Sequence, residues 1–231
     1  MRGVDKAHAV PSESNPNPDF TAISPLLLKD RNGFYHMLGN YLPICSDDPV
    51  KRSDKRILGR FRRLAGARDM LIVSQMKFDI EAANTYGYSE PKIVIPKDHG
   101  AGTGDFNATV AIMVENGIKV VKDQTISNVK GKKLSDFLGF TNACQNGLVS
   151  IYEETFDDES LAYIWAELEK FDGVTKSTQT RKDDFVDAIA VCFNALAVAK
   201  RAYKTPSFTS TESSPTLSVG LLRNNNANQN S

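Results

Sequence analysis

Polar and apolar positions along the chain divide it into short strands and amphipathic helices. Met1–Asp5 reads as a brief strand. Phe20–Leu28 and Gly33–Leu42 are β-rich runs joined by Lys29-Asp30-Arg31-Asn32, and the Asn32-Gly33 pair signals a hairpin. Lys92–Pro96 (KIVIP) is apolar beyond its leading lysine, as expected of a strand covered on both faces, Ile118–Val121 reads as another buried strand, and Leu148–Ile151 as a small further strand. The helical period appears over Asp105–Glu115, ended by Gly117, and over Lys132–Asn146, closed by Gly147. Asp157–Phe171 and Asp184–Tyr203 are the two clearest helices. Trp165 with Leu161, Leu168 and Phe171, and Leu134 with Phe137 and Phe140, read as core packing. A three-strand meander followed by alternating helices and strands predicts an α/β fold with a mixed sheet and helices on its faces.

Charge adds one further segment. KRSDKRILGRFRRLAGAR, from Lys51 to Arg68, holds eight basic residues against one acid, Asp54. Ser53 or Asp54 can cap a helix there, with Ile57, Phe61 and Leu64 as its buried stripe and the arginines on the outer face. That face is either simply solvated or suited to tracking phosphates. Lys130, Lys132 and Lys133 are loop lysines open to the same two readings, and Gly100–Gly104 either approaches a nucleic-acid backbone or turns the chain. From Thr205 to Ser231 the chain is rich in Ser, Thr, Pro and Asn, so 1–204 is expected to fold and 205–231 to be a disordered tail.

Composition excludes several classes. At 231 residues, with 41% hydrophobic and 24% charged residues, the chain has the make-up of a soluble globular protein. No apolar run approaches the roughly 18 residues needed to span a bilayer, and no secretory leader is visible. Cys45, Cys144 and Cys192 are odd in number and widely spaced, which fits a reducing cytoplasm better than a disulfide scaffold. His8, His36 and His99 are too scattered for a zinc site. Lys plus Arg and Asp plus Glu both total 28, so net charge is neutral and decides nothing about nucleic-acid binding.

The informative residues are carboxylates. Asp5 ends the first strand, and Asp98 follows the apolar strand in Ile-Pro-Lys-Asp-His-Gly. Asp183, Asp184 and Asp187 open the last long helix, where Asp184 and Asp187 share one face. Each has an ordinary explanation as a cap or a turn residue. Asp187, however, sits inside a helix that is apolar almost all round, where a carboxylate needs a partner. Acids from two strand ends and one helix start can converge at one sheet edge, and such hard oxygen ligands suit Mg²⁺ or Mn²⁺. Two such ions about 4 Å apart are the usual requirement for phosphodiester hydrolysis of this kind.

Gly3-Val4-Asp5, Asp19-Phe20-Thr21-Ala22-Ile23, Ile95-Pro96-Lys97-Asp98-His99-Gly100 and Lys182-Asp183-Asp184-Phe185-Val186-Asp187-Ala188 occur in an order that resembles the nuclease domain of tailed-bacteriophage terminase large subunits. The resemblance runs from about Gly3 to Ala199. It implies a ribonuclease-H-like fold, with a mixed five-stranded sheet made of a three-strand antiparallel meander followed by parallel strands. It also implies a two-metal endonuclease that cuts concatemeric viral DNA during genome packaging, with little sequence specificity. On this resemblance Asp5 is the ligand bridging both metals, Asp98 the second-strand ligand, and Asp184 and Asp187 the last motif, with Asp183 in reserve. Implied partners are double-stranded DNA, the portal, the small terminase subunit and the ATPase motor, with action at the procapsid in the host cytoplasm. The chain departs from the family in having Asp98 where many members have Glu, and Lys182 where a His is common. Its short first strand points to an excised domain. No G-x-x-x-x-G-K-[ST] occurs, so no ATPase is expected in this chain. A junction-resolvase-like nuclease and a non-catalytic ribonuclease-H-like binding module are the alternatives.

Overall fold

The computed structural model describes residues 1–7, 9–39, 59–96, 103–122, 132–172 and 182–197. The chain is mixed α/β. Its larger sheet has five strands: β1 (Arg2–Asp5), β2 (Thr21–Ile23), β5 (Arg60–Phe61), β6 (Lys92–Ile95) and β7 (Lys119–Lys122), in the order β5-β2-β1-β6-β7. β2 runs antiparallel to β1 with Asp5 opposite Ala22, while β6 runs parallel to β1 and β7 parallel to β6. A three-stranded sheet holds β3 (Leu26–Lys29), β4 (Tyr35–Leu38) and β8 (Val149–Tyr152) in the order β3-β4-β8. The two sheets are stitched at Pro25, which has no N–H to continue a ladder. On either side of it Ser24 N donates to Gly3 O and Leu27 N to Met1 O, both at 2.9 Å, so β3 carries on beside β1 where β2 stops.

Five helices among the described residues cover the sheet: α1 (Ala65–Tyr86), α2 (Thr103–Glu115), α3 (Lys132–Gln145), α4 (Asp158–Lys170) and α5 (Asp184–Ala197). Strand alternation sends Val4, Ile23, Ile93 and Ile95 to one face, where they bury Ile72, Val73 and Met76 of α1 with Phe106 and Met113 of α2. Ala22 and Val94 point the other way, onto Phe185, Ala188, Ile189 and Cys192 of α5, with Phe137, Phe140 and Ile164 from α3 and α4 behind them. The predicted hairpin forms as expected, with Lys29 opposite Tyr35 and Gly33 at φ 92° in the turn. Gly117 and Gly147, at φ 75° and 67°, end α2 and α3 as predicted.

The basic segment is the main correction. Residues 51–58, Ile57 among them, lie outside the described residues. Arg60–Phe61 is not helical but pairs with β2, Phe61 opposite Thr21. Leu64, assigned to a buried stripe, is 63% exposed, and the helix begins only after it and continues to Tyr86. Arg68, expected on the outer face, is fully buried. It donates to Asp69 Oδ1 at 2.9 Å, Asp105 Oδ1 at 2.7 Å and Ala7 O at 3.2 Å. Internal carboxylates consume this charge, and it never meets solvent. The inward line of α4 is likewise offset by one residue: Ser160, Ile164 and Glu167 are buried and Trp165 only half so. The tail 205–231 and the loop lysine Lys130 lie outside the described residues.

Candidate active site

α5 rests directly on β1, and the reason is Gly3. A Cβ there would stand 2.2 Å from Ala188 O and 2.9 Å from Cys192 N, so only glycine admits the helix at this distance. At the far end of the contact Cys192 Sγ donates to Met1 O at 3.2 Å. Helix and strand therefore run in opposite directions, with Cys192 beside Met1 and Ala188 beside Gly3. Four more residues back along the helix cover about 6 Å, and two more forward along the strand cover about 6.7 Å. Asp184 therefore heads α5 toward the end of the contact where β1 finishes at Asp5, and the bond it accepts from Phe20 N, just before β2, places it toward that end too. Asp187 follows within the same first turn, since the Asp183 carbonyl accepts from Asp187 N at 2.9 Å and so heads the helix. Asp5 and Asp187 are half-buried.

Asp184 is 2% exposed, and its two oxygens differ. Oδ1 accepts from Phe20 N at 3.2 Å, whereas Oδ2 is buried with no hydrogen-bond partner among the described residues. Burial first, and then the neighbouring negative charge of Asp19, push this carboxyl up to about 6, against the opposing pull of the Phe20 N–H and Lys182. Lys182 donates from Nζ to Asp19 Oδ1 at 2.8 Å and to Asn17 O at 3.1 Å, which pins the segment leading into β2 beside the head of α5.

A further carboxylate, absent from the sequence-predicted set, lies against this corner. Glu167 of α4 accepts from Phe185 N at 2.7 Å through Oε2 and from Arg60 Nη1 at 3.3 Å through Oε1. Burial pushes it up to about 7, with Asp184 adding to the rise and the Phe185 N–H and Arg60 opposing it. The Arg60 guanidinium lies 3.6 Å from the ring centre of Tyr163 and 4.6 Å from that of Phe20, while Arg62 covers Phe20 at 3.6 Å. The one signal of Glu167 in the sequence is an acid on the inward line of α4, three residues after Ile164.

Behind β1 a second charged group closes the corner. Lys6 Nζ donates to Asp105 Oδ2 at 2.8 Å, beside the Arg68 bond to the same carboxylate. Burial works to raise Asp105, but the bonds from Lys6 and Arg68 prevail and hold it below the usual carboxylate range. These groups tie β1 to α1 and α2, and every one of them is engaged.

Of the sequence-predicted acids, Asp183, Asp184 and Asp187 lie at the head of α5 and Asp5 ends β1, the strand on which α5 packs. Asp98 and His99 lie outside the described residues. β6 pairs in parallel with β1, Arg2 opposite Ile93 and Gly3 opposite Val94, so Ile95 ends level with Val4 and the chain leaves the strand at this same edge. Among the described residues no group of three or more His, Cys, Asp or Glu side chains is placed to hold a metal ion. His36 is a strand residue, as expected, with Nδ1 3.0 Å from the Tyr152 hydroxyl and Nε2 3.5 Å from Asp30. No described helix is long and apolar enough to cross a membrane. Comparison with protein-family models, with curated proteins and with solved structures finds no match in any of the three.

Proposed function

We propose that this chain is a metal-dependent DNA endonuclease of ribonuclease-H-like architecture, similar to the nuclease domain of tailed-phage terminase large subunits. Supporting the architecture, β2 and β1 are antiparallel, β3 and β4 form a hairpin that continues beside β1, and β6 and β7 follow in parallel on β1's other side. That arrangement is compatible with a ribonuclease-H-like sheet, although β3 and β4 pair with β8 in the separate three-stranded sheet and β5 takes the outer place beside β2. The observation that carries the chemistry is the Asp184 Oδ2 oxygen, buried and without a hydrogen-bond partner among the described residues. A buried carboxylate oxygen left bare is costly unless a cation or proton completes it.

The donor set fits hard divalent ions. Asp5, Asp184 and Asp187, with Asp98 from the segment after β6, would hold two Mg²⁺ or Mn²⁺ ions. Bound there, the ions supply the Lewis acidity that hydrolysis of a backbone phosphodiester needs. The protein's own part is to keep the carboxylates aligned. Gly3 sets the approach of α5, the Phe20 N–H fixes one Asp184 oxygen, and Lys182 holds Asp19 aside. Cutting with little sequence preference is what the resemblance implies; Lys6, Arg60, Arg68 and Lys182 are engaged by groups within the protein. Affinity for DNA in packaging would then come largely from the motor, the portal and the small subunit.

Incubation of supercoiled plasmid with Mn²⁺ tests the reading. Relaxation and linearisation by the wild type, lost in Asp184→Asn and in Asp98→Ala with the fold intact, are the expected result. Cutting that persists undiminished in Asp184→Asn would remove the assignment of this site. No cutting with Mn²⁺ or Mg²⁺ between about pH 6 and 9 would leave the binding-module reading, and strong preference for four-way junctions over linear duplex would favour the resolvase reading.

A further inference from the structure

The bare oxygen of Asp184 can serve a cation only if its carboxylate is held still, and the groups that hold it come from four separated segments. Phe20 N grips Asp184 Oδ1 at 3.2 Å. Asp184's neighbour, Phe185, gives its N–H to Glu167 Oε2 at 2.7 Å. The other Glu167 oxygen takes the Arg60 guanidinium at 3.3 Å, and Arg60 lies over the ring of Phe20 and that of Tyr163. The chain of contacts thus returns to its start: Asp184, Phe185, Glu167, Arg60, Phe20 and back to Asp184. Glu167 is 6% exposed, and its carboxylate contacts both the head of α5 and the edge strand β5.

We propose that Glu167 is a positioning residue, which fixes the first turn of α5 through the Phe185 N–H and thereby aims the Asp184 carboxylate at its cation. This rests on the nuclease reading given above. Glu167 does not touch the cation or the DNA. It acts through the helix head, and Arg60, wedged between two aromatic rings, keeps it from turning away. A carboxylate is required because it must accept from a backbone N–H and from a guanidinium at once. Glutamine in the same place keeps one acceptor oxygen but presents an NH₂ group to either Phe185 N–H or Arg60. Aspartate keeps the charge but is shorter by one methylene and cannot reach both donors.

Two measurements on the full chain separate this role from simple support of the fold. The first is the Mn²⁺ concentration that gives half-maximal plasmid relaxation. The second, made without DNA, is the Mn²⁺ concentration that gives half of the thermal stabilisation by the metal. Glu167→Gln and Glu167→Asp should both raise each midpoint by about tenfold, the scale of losses seen when partners that orient metal ligands are removed. Cutting at saturating Mn²⁺ should be largely restored. Glu169→Gln, on the exposed side of the same helix, should move neither midpoint. A residue that merely supports the fold would lower the amount of active protein and leave the midpoints where they were, and that result overturns the proposal. If Glu167→Asp matches the wild type while Glu167→Gln does not, only charge at a distance is involved and positioning is likewise refuted. Failure of the nuclease reading looks different: the wild type then cuts no plasmid with Mn²⁺, and if only the site assignment fails Asp184→Asn keeps both its cutting and its Mn²⁺ midpoint.

Discussion

Consider Asp184→Asn in the metal-free protein. The wild-type carboxyl is raised from 3.8 to about 6, chiefly by burial. Because the folded value lies above the unfolded one, the native state holds the proton more tightly than the unfolded chain does. Below about pH 4 both states are protonated and the site costs nothing. Between about pH 4 and 6 the unfolded chain ionises first, so stability falls as pH rises. Above about pH 6 the full difference is present, and at about 1.4 kcal/mol per pH unit it comes to about 3 kcal/mol. Asparagine retains an oxygen for the Phe20 N–H and carries no charge at any of these pH values. Its stability relative to wild type should therefore improve by about 3 kcal/mol from pH 4 to pH 8, or about 6–12 °C in relative Tm for a chain of this size. Taking the difference between two pH values cancels whatever the amide does to packing. Removal of the Asp184 charge also lets Glu167 ionise at lower pH, an effect of the same sign. Thermal melts of both proteins in EDTA, followed by circular dichroism, measure it. A relative stability that stays constant across the range, or that falls at pH 8, would refute the idea of a destabilising, cation-hungry carboxylate. Mn²⁺ at pH 8 should raise the wild-type Tm and leave that of the variant nearly unmoved.

Two structural predictions bear on how the corner is built. Gly3→Ala must drive α5 off β1 by about 1 Å to relieve the contact with Ala188 O, at a cost of roughly 1–3 kcal/mol or more. Gly39→Ala meets Thr155 O at the same 2.2 Å and should cost a similar amount in urea titrations, yet only Gly3→Ala should raise the Mn²⁺ requirement for cutting; equal effects on metal would show that α5 does not set the site. Asp79→Asn strands the fully buried Arg2 guanidinium, which Asp79 Oδ1 accepts at 2.9 Å, and should lower unfolding free energy by about 3–5 kcal/mol; a loss below about 1 kcal/mol would mean water or another acceptor takes over.

The helix missed in the sequence shows why part of the fold was hidden. α1 turns Ile72, Val73 and Met76 inward, but Arg68, Asp69, Gln75 and Asp79 are buried on it as well. Four polar side chains interrupt the apolar period that betrays a helix; three are satisfied by partners on other elements, Asp79 by Arg2, Arg68 by Asp105 and Asp69 by Thr109, and Gln75 donates to Asp79 on the same helix. The arginine run misled for the same reason. Its charge looked like a solvated face, while Arg60 and Arg68 in fact bind internal carboxylates. Where the inward face is purely apolar, as in β6, or a glycine takes a left-handed turn, as at Gly33, Gly117 and Gly147, local pattern and structure agree.

Local chemistry in the chain was enough to mark the hairpin, the helix ends and the placing of the candidate acids on their elements, because strand alternation, turn geometry and helix periodicity act over a few residues. It was also enough to put Asp5 at a strand end and Asp184 at a helix head. That the head of α5 meets the end of β1 depends on Gly3 letting the helix onto the strand, and that one Asp184 oxygen is held while the other has no partner among the described residues depends on Phe20. The partnership of Glu167 with Phe185 and Arg60 spans 18 and 107 positions of sequence. Such contacts arise only when the sheet and its helices have packed, since burial is what turns an ordinary surface acid into one that must find a partner.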